Sequence, residues 1–376
     1  MRIGIDARLF GTQHGGIGRY TEELIKNLEK VDQVNEYFIF LQKSEFANYT
    51  PTASNFHKVR ADFKPYGVFE QVLLPFLLYK YRLKLVHFTH FNVPIIYQKK
   101  FIVTIHDLII SHYPDSRAIN LSPFIFKFRL LVYRWVIKNT VKRAQKIITI
   151  SQFTKKDIVK LLKVRPEKII VCYAGVDLLD AGKINKSEVL SRLGIGGEFL
   201  LYVGSAYPHK NLEKLILAFL VLAETYPELQ LVLVGKKNIF YQKLEAWLIT
   251  LDNNNSQRII FTDYLSDSEL AVLYASAKAY VFPSLIEGFG LPPLEAQSYG
   301  LPVVASNASC LPEVLGKSAL YFNPVSVEEI VEKIKLVLDD TDLRSELIKN
   351  GKENSKLFSW ELMAQEIYNL YNSYPQ

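Results

Sequence analysis

Pro283-Ser-Leu-Ile-Glu-Gly-Phe-Gly-Leu-Pro-Pro-Leu-Glu-Ala-Gln-Ser-Tyr-Gly-Leu-Pro-Val-Val304 holds more information about the fold than any other stretch of the chain. The apolar run Ala279–Phe282 precedes it, and a second run, Val303–Ala305, closes it. The pattern between them reads as strand, glycine turn, helix, strand. Gly288 and Gly290 stand just past the first strand, where a helix should begin. Unpaired N–H groups and the helix dipole suit a phosphate there, and glycine lets it approach closely. Glu287 and Glu295 are eight residues apart, near two helical turns, so the spacing predicts that they share one side of a helix. Two such carboxylates can accept hydrogen bonds from sugar or ribose hydroxyls. The plainer alternative is an ordinary connection with two exposed glutamates.

Outward from this stretch, short apolar runs alternate with helical stretches. Arg2–Ile5, Tyr37–Leu41, Leu85–His90, Phe101–Ile105 and Lys146–Ile150 are strand candidates in the first half. Phe199–Val203, Leu229–Val234, Ile259–Phe261, Ala279–Phe282 and Val303–Ala305 answer them in the second. Helices are expected at Tyr20–Lys30, Thr154–Leu162, Leu212–Thr225 and Asp267–Ala277. Continuous apolar strands separated by helices predict an α/β protein with parallel sheets covered on both faces. The pattern restarts after Leu193-Gly-Ile-Gly-Gly197, so we expect two Rossmann-like domains, 1–180 and 181–355, facing a central cleft. Residues 356–376 form a terminal helix. Ligands of open α/β sheets bind beyond the carboxyl ends of the strands, so residues that follow strands are the informative ones.

A length of 376 residues suits two domains, and 49% hydrophobic residues exclude a largely disordered chain. The net charge of +7 is unevenly spread. Residues 1–180 hold 28 Lys+Arg against 15 Asp+Glu, and residues 181–376 hold 17 against 23. A basic half attracts phosphates, nucleic acid or anionic membrane. Two cysteines, Cys172 and Cys310, make neither a disulfide framework nor a multi-cysteine zinc site and point to a reducing compartment. The first residues read as a strand and not as a signal peptide. The greasiest windows, Val72–Tyr79 and Leu130–Ile137, fall short of the roughly 18–20 apolar residues that span a bilayer.

Glu287 and Glu295 within E-G-F-G-L-P-x-L-E-A resemble the signature of the family 4 retaining glycosyltransferases. Further matches run along nearly the whole chain: Gly15-Gly-Ile-Gly-Arg-Tyr20, Val103-Thr-Ile-His-Asp-Leu108, Ile150-Ser-Gln-Phe-Thr154, Tyr202-Val-Gly-Ser-Ala-Tyr-Pro-His-Lys-Asn211, Ser309-Cys-Leu-Pro-Glu313 and Phe358-Ser-Trp-Glu361. The resemblance implies the B-type glycosyltransferase fold, with a nucleotide-sugar held mainly by the C-terminal domain and the last helix returning to the first. It implies that Glu295 holds the donor ribose, while Glu287 and the backbone of Gly288, Phe289, Gly290 and Leu291 face the transferred sugar and the phosphates. Lys210 would be the cation on the leaving phosphate. Ser205 stands where the family has an arginine, and His209 is placed to supply part of the missing charge. Fixed N–H dipoles and a cation stabilise negative charge as the glycosyl-diphosphate bond breaks.

In the first half the resemblance puts Gly16 over the donor phosphates, with a simple tight turn as the alternative. Arg19 is an acceptor contact or a solvated helix residue. His106 follows the strand Phe101–Ile105 and would sit beside the donor sugar; Asp107 lies on the acceptor side and would fix local geometry. Gly235, Tyr264 and Leu265 follow strands where the family contacts ribose and base, chiefly through backbone. No protein nucleophile is established for such retaining enzymes, and the leaving phosphate is thought to take the acceptor proton. Asp340-Thr-Asp342 imitates a metal-binding D-x-D but reads better as a helix end plus N-cap, so no cofactor and no essential metal are expected.

Two stretches, Tyr66–Lys84 and Ser122–Lys146, mix aromatics, aliphatics and cations. Either the aromatics pack under the sheet, or this face meets an anionic membrane and helps recruit a lipid-linked acceptor. The expected enzyme is a metal-independent hexosyltransferase of the mannosyltransferase-like branch, using GDP-mannose and a glycan or lipid-linked saccharide. It would act in surface polysaccharide synthesis, in the cytoplasm or on the inner face of its membrane, without nucleic acid. A UDP-sugar donor, a nucleotide-sugar epimerase and a non-catalytic sugar-nucleotide-binding protein are the alternatives.

Overall fold

Residues 1–114, 123–178, 182, 184–251 and 253–374 are described by a computed structural model. They divide into two compact units. One takes the described residues of 1–116, 121–175 and 359–376, and the other those of 176–358.

The first unit is built on a seven-stranded sheet of β1 (Arg2–Asp6), β2 (Glu36–Leu41), β3 (Phe56–Arg60), β4 (Leu85–Phe88), β5 (Phe101–Ile105), β6 (Ile147–Thr149) and β7 (Ile169–Val171). Their order is β3-β2-β1-β4-β5-β6-β7, and every neighbouring pair is parallel. The second unit holds six strands: β8 (Phe199–Val203), β9 (Gln230–Val234), β10 (Ile259–Thr262), β11 (Ala279–Phe282), β12 (Val303–Ser306) and β13 (Ala319–Phe322). They run β10-β9-β8-β11-β12-β13, again all parallel. Ile3, Ile5, Val86, Phe88, Leu201, Val232 and Val281 are fully buried, as strands covered on both faces require.

Three strands, β3, β7 and β13, were not predicted: polar His57, Lys58 and Arg60 interrupt β3, whereas β7 (Ile169–Val171) and β13 (Ala319–Phe322) carry apolar runs as long as those read as strands elsewhere. All three are sheet edges. β10 is the fourth edge and its run Ile259–Phe261 was read as a strand, so edge position alone does not hide one. The first helix also differs from expectation. It spans Gly15–Val31, five residues longer at its start, so Gly16 and Arg19 lie within it.

Strand order reverses between β1 and β4 in one sheet and between β8 and β11 in the other, which are the points where such sheets open a crevice for ligands. The helix Trp360–Asn372 completes the first unit. It packs along Gly15–Val31, and Tyr371 brings its hydroxyl 2.6 Å from Nδ1 of His87. His87 Nε2 lies 2.8 Å from the Thr104 hydroxyl, which in turn meets Tyr20 at 3.2 Å.

This buried chain makes the unit acid-sensitive. Burial, then the neighbouring His106, pushes the His87 imidazole down to about 3, and burial pushes His106 down to about 4. Both histidines stay neutral when folded but take up a proton near pH 6.5 when unfolded. Their stabilising contribution is therefore complete above pH 6.5 and is lost as pH falls towards the folded values. Each should cost about 2 kcal/mol between pH 7 and pH 5. Thermal unfolding followed over that range should show Tm falling with acidification, and His87→Gln should flatten the dependence. An unchanged slope in that variant would remove the assignment.

Candidate active site

In the second unit the loops after the switch-point strands β8 and β11 meet. After β8 the chain makes a tight turn at Pro208–Lys210, and Asn211 follows in the left-handed region at φ 60°. The Asn211 amide donates to the carbonyl oxygens of Pro283 and Pro324, and the Leu285 N–H donates to His209 O, tying the two loops together. Lys210 Nζ thereby comes within 2.6 Å of Glu287 Oε1, with side chains only 16% and 9% exposed. The ammonium also lies 5.5 Å from the centre of the Phe282 ring. Ser205 accepts the Tyr202 hydroxyl at its carbonyl oxygen and brings no positive charge. Burial, then Lys210, push the His209 imidazole down to about 4 against the pull of Glu287, which works against the positive charge expected of it beside Ser205.

Glu287 and Glu295 do not share a helix face. The helix spans Leu291–Ser298, with Gly290 as its N-cap at φ 94°, so Glu287 lies in the loop before it. The two prolines after Leu291 supply no N–H, and two of the donors a helix start usually offers are missing. An anion at this end would therefore meet the backbone of Gly288–Leu291 and not a full set of helix N–H donors. Glu295 is buried within the helix, and the Tyr274 hydroxyl donates to its Oε2 at 3.0 Å.

Sequence reasoning missed what holds Glu287. Its backbone N–H donates to Ser309 Oγ at 3.0 Å, and Cys310 Sγ donates to its carbonyl oxygen at 3.2 Å. Ser309 adopts φ 58°, an uncommon conformation for a non-glycine residue. Ser309 and Cys310 are distant in sequence from Glu287, as Tyr274 is from Glu295, and only the fold reveals these pairings.

Gly235 and Tyr264 follow β9 and β10. The Asp263 carboxylate accepts the N–H groups of Lys237 at 2.8 Å and Tyr264 at 2.7 Å, joining the two loops. These bonds hold its pKa below the usual carboxylate range. The Leu265 side chain is buried, so any ligand contact there falls to its backbone. Asp340 caps the helix Thr341–Ser355 by accepting the N–H groups of Asp342 and Leu343. Among the described residues no three His, Cys, Asp or Glu side chains gather as a metal site.

In the first unit His106 follows β5 and is 7% exposed. Its Nε2 lies 2.9 Å from Thr89 O, and a carbonyl can only accept, so that nitrogen carries the proton of the neutral ring. The ring meets Tyr20 edge-on at 4.8 Å, beside the helix that carries Gly16 and Arg19. Asp107 Oδ1 accepts the Ile109 N–H and fixes the local turn. A cluster at the end of β1 went unread. Arg8 bonds Asp6 at 2.7 Å and Glu70 at 2.6 Å, while Glu70 also accepts from Asn92 and from the Tyr66 N–H. Burial raises the pKa of Glu70 against the pull of Arg8. Asp6 ends a strand, so the strand-end rule was the available signal.

Two Rossmann-like domains with parallel sheets make this a protein of the B-type glycosyltransferase fold. A solved structure of sucrose-phosphate synthase from Thermosynechococcus elongatus shares it with a TM-score of 0.78 at 20% identity, over 99% of this chain and 98% of that one. Residues 14–179 match the model described as Glycosyltransferase Family 4, and residues 190–354 match that of Glycosyl transferases group 1. The chain belongs to the family 4 glycosyltransferases. O-antigen chain mannosyltransferase B of Escherichia coli is 27% identical over 95% of each chain. O-antigen chain mannosyltransferase RfbU of Salmonella typhimurium is 33% identical over 64% of this chain and 61% of that one.

Proposed function

We propose that this glycosyltransferase moves mannose from GDP-mannose to a glycan or lipid-linked saccharide acceptor in surface polysaccharide synthesis, with retention of configuration and without an essential metal. The carrying observation is the convergence of Lys210 and Glu287 on loops that follow the neighbouring strands β8 and β11. A cation held there suits the charge that develops on a leaving diphosphate. The bond from the sugar C1 to the diphosphate oxygen breaks as the acceptor oxygen bonds to C1. The acceptor proton passes to a phosphate oxygen, releasing nucleoside diphosphate. Glu295, steadied by Tyr274, suits the paired hydroxyls of a ribose.

The choice of mannose is supported by the names of the O-antigen relatives. A lipid-linked acceptor would bring the reaction to the inner face of the cytoplasmic membrane. No helix among the described residues is long and apolar enough to cross a membrane. Incubation with GDP-mannose, with and without acceptor saccharide, tests the reading by NMR of the products. An α-linked mannoside formed only with acceptor, and in the presence of EDTA, is the expected result. Donor conversion without acceptor would indicate an epimerase, binding without turnover a non-catalytic protein, and preference for a UDP-sugar another donor.

A further inference from the structure

The helix Pro123–Arg143 is covered on one side only, although its sequence is that of a helix covered all round. Nine of the twelve residues 124–135 are apolar or aromatic, and none of the twelve is buried. A helix this apolar is normally enclosed. Val136, Ile137 and Val141 face the core. The opposite stripe, at helical spacing, is Phe124, Phe128, Leu131 and Trp135, continued by Lys138 and Lys142. Phe124 is 82% exposed and Trp135 57%. The expectation that these aromatics pack under the sheet therefore fails for this outer stripe.

The helix Val68–Lys80 repeats the arrangement. Glu70, Leu74 and Leu78 turn inward, while Phe69, Val72, Phe76 and Tyr79 are exposed. Both helices grip the segment 91–98 between them. Gln71 accepts the Ile95 N–H, Tyr79 accepts the Gln98 N–H, Thr140 donates to Phe91 O, and Arg143 donates to the carbonyls of Ile95 and Tyr97. The exposed stripes therefore belong to one surface. At the carboxyl end of the longer helix lies an open cavity of about 590 Å³ lined by Lys142, Arg143, Lys146, Arg165 and Lys168, with Glu167 as its one acid.

We propose that this surface seats on an anionic lipid bilayer, with the aromatic stripes in the interface and the cavity taking lipid phosphate. Charge selects that occupant. The longer helix carries six Lys/Arg and no Asp/Glu, so pairing with a second copy would set like charges against each other. A bilayer of acidic lipids accepts the aromatic rings and the cations together. The inference deepens the reading of a lipid-linked acceptor.

Cosedimentation with vesicles tests it, using equal parts of phosphatidylglycerol and phosphatidylcholine against phosphatidylcholine alone. The chain should partition onto the mixed vesicles and not the neutral ones, and added salt should weaken the binding. Phe128→Ser/Trp135→Ser and Lys138→Glu/Lys142→Glu, all at exposed positions, should each lower partitioning about tenfold or more with Tm and GDP binding unchanged. Equal binding to both vesicles, wild-type partitioning by both variants, or a dimer abolished by the first variant would overturn the proposal. Vesicle binding without GDP binding would remove the functional reading and leave the surface standing. Transfer to a soluble acceptor without vesicle binding would remove the surface alone.

Discussion

Replacing Lys210 with methionine is expected to lower kcat about a hundred- to a thousandfold, the cost of losing one charged stabiliser of a developing oxyanion. Two effects are mixed in that loss. Lys210 is paired with Glu287 at 2.6 Å and both are largely buried, so removing the ammonium also leaves a carboxylate without its partner. Breaking such a pair costs about 3 kcal/mol or more when it is buried, and Tm should fall. The double variant Lys210→Met/Glu287→Gln separates the two. It removes both charges, so Tm should recover much of the loss while turnover stays low. Wild-type turnover in Lys210→Met would show that the leaving phosphate is stabilised by other groups. Recovery of activity together with Tm in the double variant would show that the pair serves folding alone.

Gly235→Ala is expected to cost about 3 kcal/mol, at the upper end for an overpacked site, and to weaken donor binding. A Cβ built there would lie 2.0 Å from Gly204 O and 2.5 Å from the Tyr241 hydroxyl. The first is backbone, and it cannot turn aside as a side chain would. Gly204 N–H donates to Val234 O, and Tyr241 donates to Gly204 O, so the ends of β8 and β9 are already held together there. Relief of the clash would have to move the loop that leads to Lys210. Gly196→Ala is the control, because its Cβ would meet nothing within 4 Å. Urea unfolding should separate the two variants clearly, and equal midpoints would refute the close approach. The role expected of Gly235 in ribose binding is thus accompanied by a steric need for glycine that no motif expresses.

The central strands were legible because burial on both faces demands continuous apolar runs, and β5, β8 and β11 begin and end where the runs do. β3 escaped because His57, Lys58 and Arg60 break its apolar pattern. Asp340 was legible as a cap because capping is local, settled within three residues. The Glu287–Glu295 spacing misled because it presumed one helix across Gly290, whose left-handed conformation starts the helix too late to include Glu287.

By itself, the sequence determined the alternation of strands and helices, the glycine turn after Ala279–Phe282 and the family to which the chain belongs. These follow from short-range periodicity and from residue type. The tertiary structure alone decided that Lys210 meets Glu287 across 77 positions, that Ser309 and Cys310 hold Glu287 from both sides of its peptide backbone, and that burial pushes the His209 imidazole down. It also decided which aromatic residues of 124–135 remain outside. Hydrogen-bond partners, burial and local dielectric depend on what the fold brings within a few ångströms, and separation along the chain carries no record of that distance.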